Sequence, residues 1–282
     1  MLVTTKRILN DAKKGGYAVG AFNAENAEMV WAIVNAAEEL NSPVIVQTTS
    51  STLKYFPPVY FANIVKAAAA IASVPVAIHL DHSASYELAK ACIDSGYTSV
   101  MIDGSALSYE ENISVTQKVC AYAENFGVPV EAELGKIGGK EDDTECSEDQ
   151  YTDPNQAVNF VERTGISSLA IAIGTAHGIY AKTPELDLNH VANIRKVVSI
   201  PLVMHGASGL SDTVIRDSVK KGISKINFAT ELRIAFTDTV KTYFVEYPGD
   251  IDPKKYMGAA RVAVKGLVKS KMLVCGSAGM AK

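Results

Sequence analysis

The stretch Val74-Pro75-Val76-Ala77-Ile78-His79-Leu80-Asp81-His82 decides the fold, because it combines a buried strand with an ionisable end. A short apolar run that opens with proline and is rich in β-branched residues is typical of a strand inside a parallel sheet. Buried carboxylates and imidazoles are costly unless they are paired or bind a metal. Asp81 and His82 therefore predict a functional strand end, and in an extended chain they point to opposite sides. The competing interpretation is an ordinary strand end whose aspartate caps the next helix.

Length, charge and composition limit the classes of function. The chain has 282 residues, 48% of them hydrophobic, and a formal net charge of −4, which suits one large α/β domain or two small ones. Its dispersed charges argue against nucleic-acid and membrane partners. The sequence lacks both an apolar run of membrane-spanning length and a signal pattern near its start, so we expect a cytoplasmic location. The cysteines are scattered, which predicts reduced thiols at Cys92, Cys120, Cys146 and Cys275.

Strand-like and helix-like segments alternate along the whole chain. The predicted strands are 17–23, 43–49, 74–82, 99–103, 128–134, 168–174, 201–206 and 225–230. The predicted helices are 25–40, 60–72, 85–95, 109–126, 154–164 and 211–220. This pattern predicts an α/β fold, a (β/α)8 TIM barrel that forms one domain over residues 1–282, with a C-terminal helical extension over about 236–282. An open doubly wound sheet is the rival, but the end of the first strand, Gly20-Ala21-Phe22-Asn23, lacks the glycine-rich turn of dinucleotide-binding sheets.

Two connections, 135–153 and 174–187, are rich in glycine and show no apolar periodicity. Long loops without secondary structure in a compact domain are usually lids or binding loops. A simple surface loop is the alternative for each of them.

The carboxyl ends of the predicted strands are polar without exception. The active site of a barrel of this type lies at that face. The strand-end side chains are Asn23, Gln47, Asp81, His82, Asp103, Glu133, His177, His205, Asn227 and Thr230. The opposite ends are mostly apolar or turn residues, so the polar set predicts a site on one rim.

Three histidines lie at or just beyond these strand ends: His82, His177 and His205. Three imidazoles with one open position form a catalytic zinc arrangement. A single strand-end histidine is more often structural, but three on one rim beside carboxylates favour a metal. His79 is expected in the interior as support for the metal ligands, and His190 is expected on the surface of a helix.

The ends of the last two strands predict a phosphate site, which is where this fold usually binds phosphate. Gly206-Ala207-Ser208-Gly209 and Asn227-Phe228-Ala229-Thr230 offer small residues and backbone N–H donors to an anion. The alternative for the first segment is an ordinary helix N-terminus. A metal, a phosphate site and Asp81 as proton carrier together predict a phosphorylated carbonyl substrate. Lys225 is placed at the entering end of the last strand, so a Schiff-base mechanism is disfavoured.

Over essentially its whole length the chain resembles the class II, metal-dependent ketose-bisphosphate aldolases, and above all the tagatose-1,6-bisphosphate aldolase type. The segments that carry the resemblance are His79-Leu80-Asp81-His82, Ser99-Val100-Met101-Ile102-Asp103-Gly104-Ser105, Val130-Glu131-Ala132-Glu133-Leu134-Gly135, Gly138-Gly139-Lys140-Glu141-Asp142-Asp143, Ala172-Ile173-Gly174-Thr175-Ala176-His177-Gly178, His205-Gly206-Ala207-Ser208-Gly209 and Asn227-Phe228-Ala229-Thr230-Glu231-Leu232. It implies a zinc enzyme that reversibly cleaves a ketose 1,6-bisphosphate into dihydroxyacetone phosphate and glyceraldehyde 3-phosphate.

The resemblance also implies residue roles. Asp81 becomes the acid/base at the C4 hydroxyl, and Glu141 is linked to proton transfer at the dihydroxyacetone-phosphate carbon. The implied metal-binding residues are His82, His177 and His205, with Asp103 and Glu133 for an alternative or second metal. The substrate and phosphate-binding candidates are Asn23, Gly178, Gly206, Ala207, Ser208, Asn227, Phe228, Ala229 and Thr230. Relatives often hold Na⁺ or K⁺ near Gly178 and Gly206, form homodimers or homotetramers, and in some tagatose-type cases need a helper subunit.

Several alternatives stay open on the sequence. The substrate is tagatose bisphosphate, fructose bisphosphate or another phosphorylated ketose, since the first two differ only at C4. Gly258 stands where several relatives carry an arginine for the distal phosphate, and Arg261, Lys254 or Lys255 are substitutes. Residues 47–52 also differ from the Gly-Thr-Pro-Gly run expected of tagatose enzymes. A non-catalytic sugar-phosphate-binding subunit and a metal-dependent barrel hydrolase are less favoured.

Overall fold

Short apolar segments rich in β-branched residues form parallel strands that close into a barrel. The computed structural model describes residues 1–141, 144–146, 150–178, 180, 184 and 186–282, with backbone only at 140, 141 and 144–146. The barrel strands are β1 (Val19–Asn23), β2 (Val44–Thr48), β3 (Val76–Leu80), β4 (Ser99–Ile102), β5 (Val130–Leu134), β8 (Ser168–Ile171), β10 (Leu202–Met204) and β11 (Ile223–Phe228). Their order around the barrel is β1-β11-β10-β8-β5-β4-β3-β2. Pairing of β1 with both β2 and β11 closes the sheet, which excludes the open doubly wound alternative.

Helices precede, connect and follow the barrel strands, and most of them cover the outer face of the barrel. They are α1 (Thr5–Gly15), α2 (Ala27–Glu39), α3 (Ser50–Tyr55), α4 (Pro58–Ile71), α5 (Tyr86–Ser95), α6 (Tyr109–Glu124), α7 (Pro154–Thr164), α8 (Leu188–Val197), α9 (Asp212–Lys221), α10 (Thr230–Glu246) and α11 (Pro253–Cys275). The predicted (β/α)8 barrel with a C-terminal helical extension is confirmed. That residues 1–282 form a single domain stays a prediction. Among the described helices, none combines the length and apolar composition needed to cross a lipid bilayer.

Alternation along the strands separates an outer apolar layer from the barrel interior. On β3, the side chains of Val76, Ile78 and Leu80 belong to the large core between strands and helices. Ala77 and His79 face the other way, into the barrel, and His79 is completely buried. The expectation of an interior His79 is confirmed.

Helix α1 closes the amino-terminal end of the barrel. Its apolar face packs against the lower interior, in a cluster that comprises Ile8, Leu9, Ala12, Tyr17, Val19, Ala21, Ile45 and Ala77. The polar strand-end residues therefore occupy the opposite, carboxyl-terminal half of the interior.

Helix α7 has the bounds 154–164 that the sequence predicts, because both of its ends are encoded locally. The Asp153 carboxylate accepts hydrogen bonds from the backbone N–H groups of Asn155 and Gln156 at 2.8 and 2.9 Å. Pro154 occupies the first turn, where its missing N–H is harmless. Gly165 then ends the helix in the left-handed conformation, which glycine adopts readily.

Other boundaries differ from the prediction. Strand β3 ends at Leu80 rather than His82, because His82 adopts a left-handed backbone with φ of 42° and leaves the extended conformation. Strand β11 begins at Ile223, so Lys225 lies inside the strand and is fully buried rather than placed at its entrance. The region predicted as helical over about 236–282 contains most of α10, which follows β11 from Thr230, and the whole of α11, which forms the C-terminal extension.

The sequence predicts a loop without secondary structure over the glycine-rich connection 135–153. Part of this connection instead forms strands. Strands β6 (Gly138–Glu141) and β7 (Thr144–Cys146) pair in antiparallel fashion, and β6 also pairs with β9 (Ala176–His177). The two long connections thus join in a small sheet over the carboxyl-terminal face. The pairing partners lie far apart in sequence, which is why local periodicity does not reveal them.

Candidate active site

The three predicted histidines converge at the carboxyl-terminal face. Ligand atoms of His82, His177 and His205 all lie within 4.8 Å of one another. The ring centroid of His82 is 4.8 Å from that of His177 and 4.4 Å from that of His205. His82 has a left-handed backbone conformation, which is rare for a non-glycine residue and costs free energy.

Carboxylates support two of these rings. The Nδ1–H of His82 donates to Asp103 Oδ2 at 3.0 Å, while Asp103 Oδ1 accepts from the backbone of Ser105. Burial would raise the pKa of the Asp103 carboxyl, but the bonds from His82 and Ser105 hold it below its usual value. Asp103 is thus placed to orient His82. It could also bind a metal itself, because one ligand atom each of His82, Asp103 and Glu133 lie within 4.8 Å of one another.

His205 is fully buried between two glutamates. Its Nδ1 lies 3.1 Å from Glu133 Oε2, and its Nε2 lies 3.1 Å from Glu131 Oε1. Metal-bound histidines almost always donate their second ring nitrogen to a carboxylate or carbonyl. The donor set of three imidazoles with carboxylate support therefore fits a zinc ion.

Asp81 is held by amide groups from three strands. Its Oδ2 accepts from Gln47 Nε2 at 2.9 Å and from Asn23 Nδ2 at 3.3 Å. Its Oδ1 accepts from Asn227 Nδ2 at 2.9 Å. A carboxylate that receives three side-chain donors is fixed in one orientation directly beside His82, as a proton-transfer group requires.

The ends of β10 and β11 meet at the predicted phosphate site. The Ser208 hydroxyl accepts from the backbone N–H of Ala229 at 3.2 Å, and Ala207 beside it is buried. The Tyr180 hydroxyl donates to the Gly206 carbonyl at 2.6 Å and accepts from the backbone N–H of Ala176 at 2.8 Å, so it links this turn to β9. The Phe228 ring stacks on Phe22 at 5.4 Å in the core, so its side chain lies away from the rim.

Gly206 has no room for a side chain. Its φ is 66°, and an added Cβ would lie 2.5 Å from the carbonyl oxygen of Ala176. We expect Gly206→Ala to destabilise the fold by about 1–3 kcal/mol, the range for a strained backbone, in denaturant unfolding. The matched control is Gly258→Ala on helix α11, where a Cβ meets open space and we expect stabilisation of about 0.5–1 kcal/mol. Equal stability of the two variants would contradict the close packing described.

The Glu141 side chain and residues Asp142 and Asp143 lie outside the described residues. The backbone that leads to them is described, and Gly139 is placed against His177: a Cβ at Gly139 would lie 2.3 Å from the His177 carbonyl oxygen. Gly178, on the same segment, has a φ of 97°. The segment that carries Glu141 is therefore attached to the segment that carries a candidate metal ligand.

A family model for class-II fructose-bisphosphate aldolases matches residues 3–280. The chain belongs to this family. It is accordingly a class II aldolase, a carbon–carbon lyase of a family that is zinc-dependent and acts on phosphorylated sugars. The groups of histidines and carboxylates described above are its possible metal-binding groups.

Solved structures of other aldolases are similar to this one. The YdjI aldolase of Escherichia coli K12 shares 39% identity with a TM-score of 0.90, over 100% of each chain. A candidate fructose-1,6-bisphosphate aldolase of Coccidioides immitis shares 29% identity with a TM-score of 0.89, over 98% of this chain and 97% of that one. The fructose-bisphosphate aldolase of Campylobacter jejuni shares 25% identity with a TM-score of 0.82, over 98% and 96%.

Local sequence patterns assign no role to two residues that this class II aldolase brings to its site. Gln47 is recognisable only as a strand end, yet its Nε2 donates to both Asp81 and Asn23. Glu131 has no motif of its own, although its spacing of two residues from Glu133 places both on the interior face of β5. His190 lies away from this site, and contrary to the expectation of a surface residue it is half-buried, with its Nε2 2.6 Å from the Thr152 carbonyl oxygen.

The three candidate cations for a distal phosphate lie on helix α11. Lys254 pairs with Asp252 at 2.8 Å, and Lys255 pairs with Asp250 at 3.0 Å. Arg261 is exposed two turns further along the same helix, beyond Gly258.

Proposed function

We propose that this enzyme uses zinc to cleave a ketose 1,6-bisphosphate reversibly, with tagatose 1,6-bisphosphate favoured, into dihydroxyacetone phosphate and glyceraldehyde 3-phosphate. One observation carries the proposal: Asp81, held by three amide donors, directly precedes His82 in the three-histidine cluster. An oriented carboxylate beside a metal site is suited to proton transfer next to a polarised carbonyl.

The zinc ion would be held by His82, His177 and His205, where it would polarise the ketose carbonyl and stabilise developing negative charge. Asp81 takes the proton from the C4 hydroxyl as the bond between C3 and C4 breaks and the aldehyde forms. In the condensation direction Asp81 returns this proton to the same oxygen. Carbon C3 takes a proton to complete dihydroxyacetone phosphate, a transfer that we assign to Glu141.

The phosphate of the dihydroxyacetone-phosphate half is assigned to the turn at Gly206 to Ser208 and to the start of α10. Small residues there allow backbone N–H groups to approach an anion, and helix N-termini favour negative charge. We assign Asn23 and Asn227, which bond Asp81, to contacts with the sugar between its two ends. We assign Gly178 to the same phosphate half.

Cleavage of tagatose and fructose 1,6-bisphosphates should be measured side by side, with a coupled assay for the triose phosphates. We expect a chelator to abolish cleavage and added Zn²⁺ to restore it, because the histidine cluster fits a catalytic zinc ion. The ratio of kcat/KM values identifies the substrate. Cleavage that survives complete metal removal would contradict the mechanism, and zinc-loaded protein that cleaves neither sugar would point to another phosphorylated ketose.

Fructose 1,6-bisphosphate is the second candidate substrate, because the family description and the Campylobacter jejuni relative both carry that name. We further propose a cytoplasmic homodimer or homotetramer, and a Na⁺ or K⁺ ion near Gly178 and Gly206. A helper subunit, as in some tagatose-type relatives, is part of the same proposal. Light scattering of the purified enzyme, alone and with each salt, tests the assembly.

A further inference from the structure

A buried lysine–glutamate pair lies beneath the histidine cluster, inside the barrel. Lys225 Nζ donates to Glu131 Oε1 at 2.9 Å, and both side chains are at most 1% exposed. The same Glu131 oxygen lies 3.1 Å from His205 Nε2, and the other oxygen accepts from the Ser168 hydroxyl at 3.2 Å. The Glu131 carboxylate thus connects Lys225 to a candidate metal ligand.

Lys225 also contacts His79, on the side away from the histidine cluster. Its Nζ lies 3.5 Å from His79 Nε2, and His79 Nδ1 lies 2.8 Å from the Ser99 hydroxyl. Burial and the charge of Lys225 hold the pKa of His79 well below its usual value, so this ring is neutral. A neutral ring that donates from Nδ1 to Ser99 accepts from Lys225 at Nε2. Thr5 on helix α1 donates to the same serine at 2.8 Å, which anchors the chain of contacts at the barrel floor.

Fold stability alone gives little reason for this pair. Desolvating two charges costs as much as their attraction returns, so a buried ion pair is often no more stabilising than apolar residues of similar volume. The pair does have a geometric consequence for the site, because Glu131 Oε1 lies within hydrogen-bond distance of both Lys225 Nζ and His205 Nε2.

We propose that Lys225 and Glu131 are positioning residues that fix the His205 imidazole for metal binding, an inference that rests on the proposed zinc site. With Nε2–H donated to Glu131, the lone pair of His205 lies on Nδ1. That nitrogen faces Glu133, which belongs to the same cluster of ligand atoms as His82. The bond from Lys225 holds the Glu131 carboxylate in the position where it accepts from His205 Nε2–H and so favours the tautomer with a free Nδ1.

The test is the dissociation constant for Zn²⁺, measured by competition with a chromophoric chelator in Lys225→Met and Glu131→Gln. We expect it to rise about 10–100-fold in each, as for other groups that orient metal ligands. A charge effect alone predicts the opposite sign for Lys225→Met, because removing a nearby cation favours Zn²⁺. The visible spectrum of the Co²⁺-substituted protein should also shift in both variants. A dissociation constant for Lys225→Met at or below the wild-type value overturns the proposal.

Lys271→Met is the matched control, since it removes another lysine–glutamate pair, between Lys271 Nζ and Glu231 Oε2 at 2.9 Å. We expect wild-type zinc affinity and an unshifted Co²⁺ spectrum for it. If Lys225→Met does not fold, Ser168→Ala takes its place in the test. This variant removes only one hydrogen bond to Glu131 and should raise the dissociation constant for Zn²⁺ about 2–10-fold. No change in Ser168→Ala would then overturn the positioning role.

His205→Ala separates this inference from the proposed function. Zinc binding that is unaffected by His205→Ala overturns the proposed site itself. Zinc binding that is lost in His205→Ala but unchanged in Lys225→Met and Ser168→Ala overturns only the positioning pair.

Discussion

Asp81→Asn should lower kcat for ketose-bisphosphate cleavage by about 10²–10⁴-fold, the usual contribution of a positioned acid/base. An amide keeps the size of the carboxylate but cannot take the C4 hydroxyl proton. Its NH₂ group would also face one of the amide donors that now bond Asp81, from Gln47 or Asn227. Steady-state kinetics with the preferred bisphosphate, together with zinc content by elemental analysis, provide the measurement.

Zinc content should stay at the wild-type level in Asp81→Asn, because the proposed ligands are the histidines. Asp94→Asn is the control: Asp94 is an exposed aspartate that pairs with Lys90 at 2.6 Å, and its substitution should leave kcat unchanged. Wild-type turnover in Asp81→Asn would remove Asp81 from the mechanism. A parallel loss of zinc would show that the variant disturbs the metal site instead of the proton transfer.

His177→Ala should abolish both zinc binding and cleavage. Removing a group that only orients a metal ligand lowers metal affinity about 10–100-fold. Removing a ligand itself should therefore lower the affinity by more than about 100-fold. His177 is only half-buried, at the edge of the small β6–β7–β9 sheet, so the apo protein should keep its thermal stability. Zinc titration and thermal unfolding of the apo and zinc-loaded forms separate the two effects.

The control for this variant is His190→Ala, which removes a histidine from helix α8. His190 bonds the Thr152 carbonyl rather than the histidine cluster. We expect a lower melting temperature with normal zinc affinity, the opposite pattern to His177→Ala. Wild-type zinc affinity in His177→Ala would refute the three-histidine site.

The sequence allows the rim of the barrel to be predicted because side chains at strand ends are local features. Asp81 and Asp103 come directly after apolar strands, and parallel strands bring such ends to one face. Helix ends with capping residues are equally local, as at Asp153 and Gly165.

What escaped prediction depends on pairing between distant segments. The shift of β11 that buries Lys225 follows from its register with β1, in which Val19 lies opposite Lys225. The bonds from Glu131 to His205 and from Gln47 to Asp81 likewise join different strands. Short-range sequence patterns contain no information about these partners. The left-handed conformation of His82 is not predicted either, because such a conformation is normally indicated by a glycine.

The three donors to Asp81 come from β1, β2 and β11, so the proposed proton carrier is oriented only when the first and last barrel strands meet. During synthesis, Asp81 and His82 leave the ribosome long before Asn227 does. Contacts between such distant segments form late and slowly, because the intervening chain must first be ordered. In a refolding experiment, recovery of activity therefore reports ring closure, and it should lag behind the recovery of helical circular dichroism.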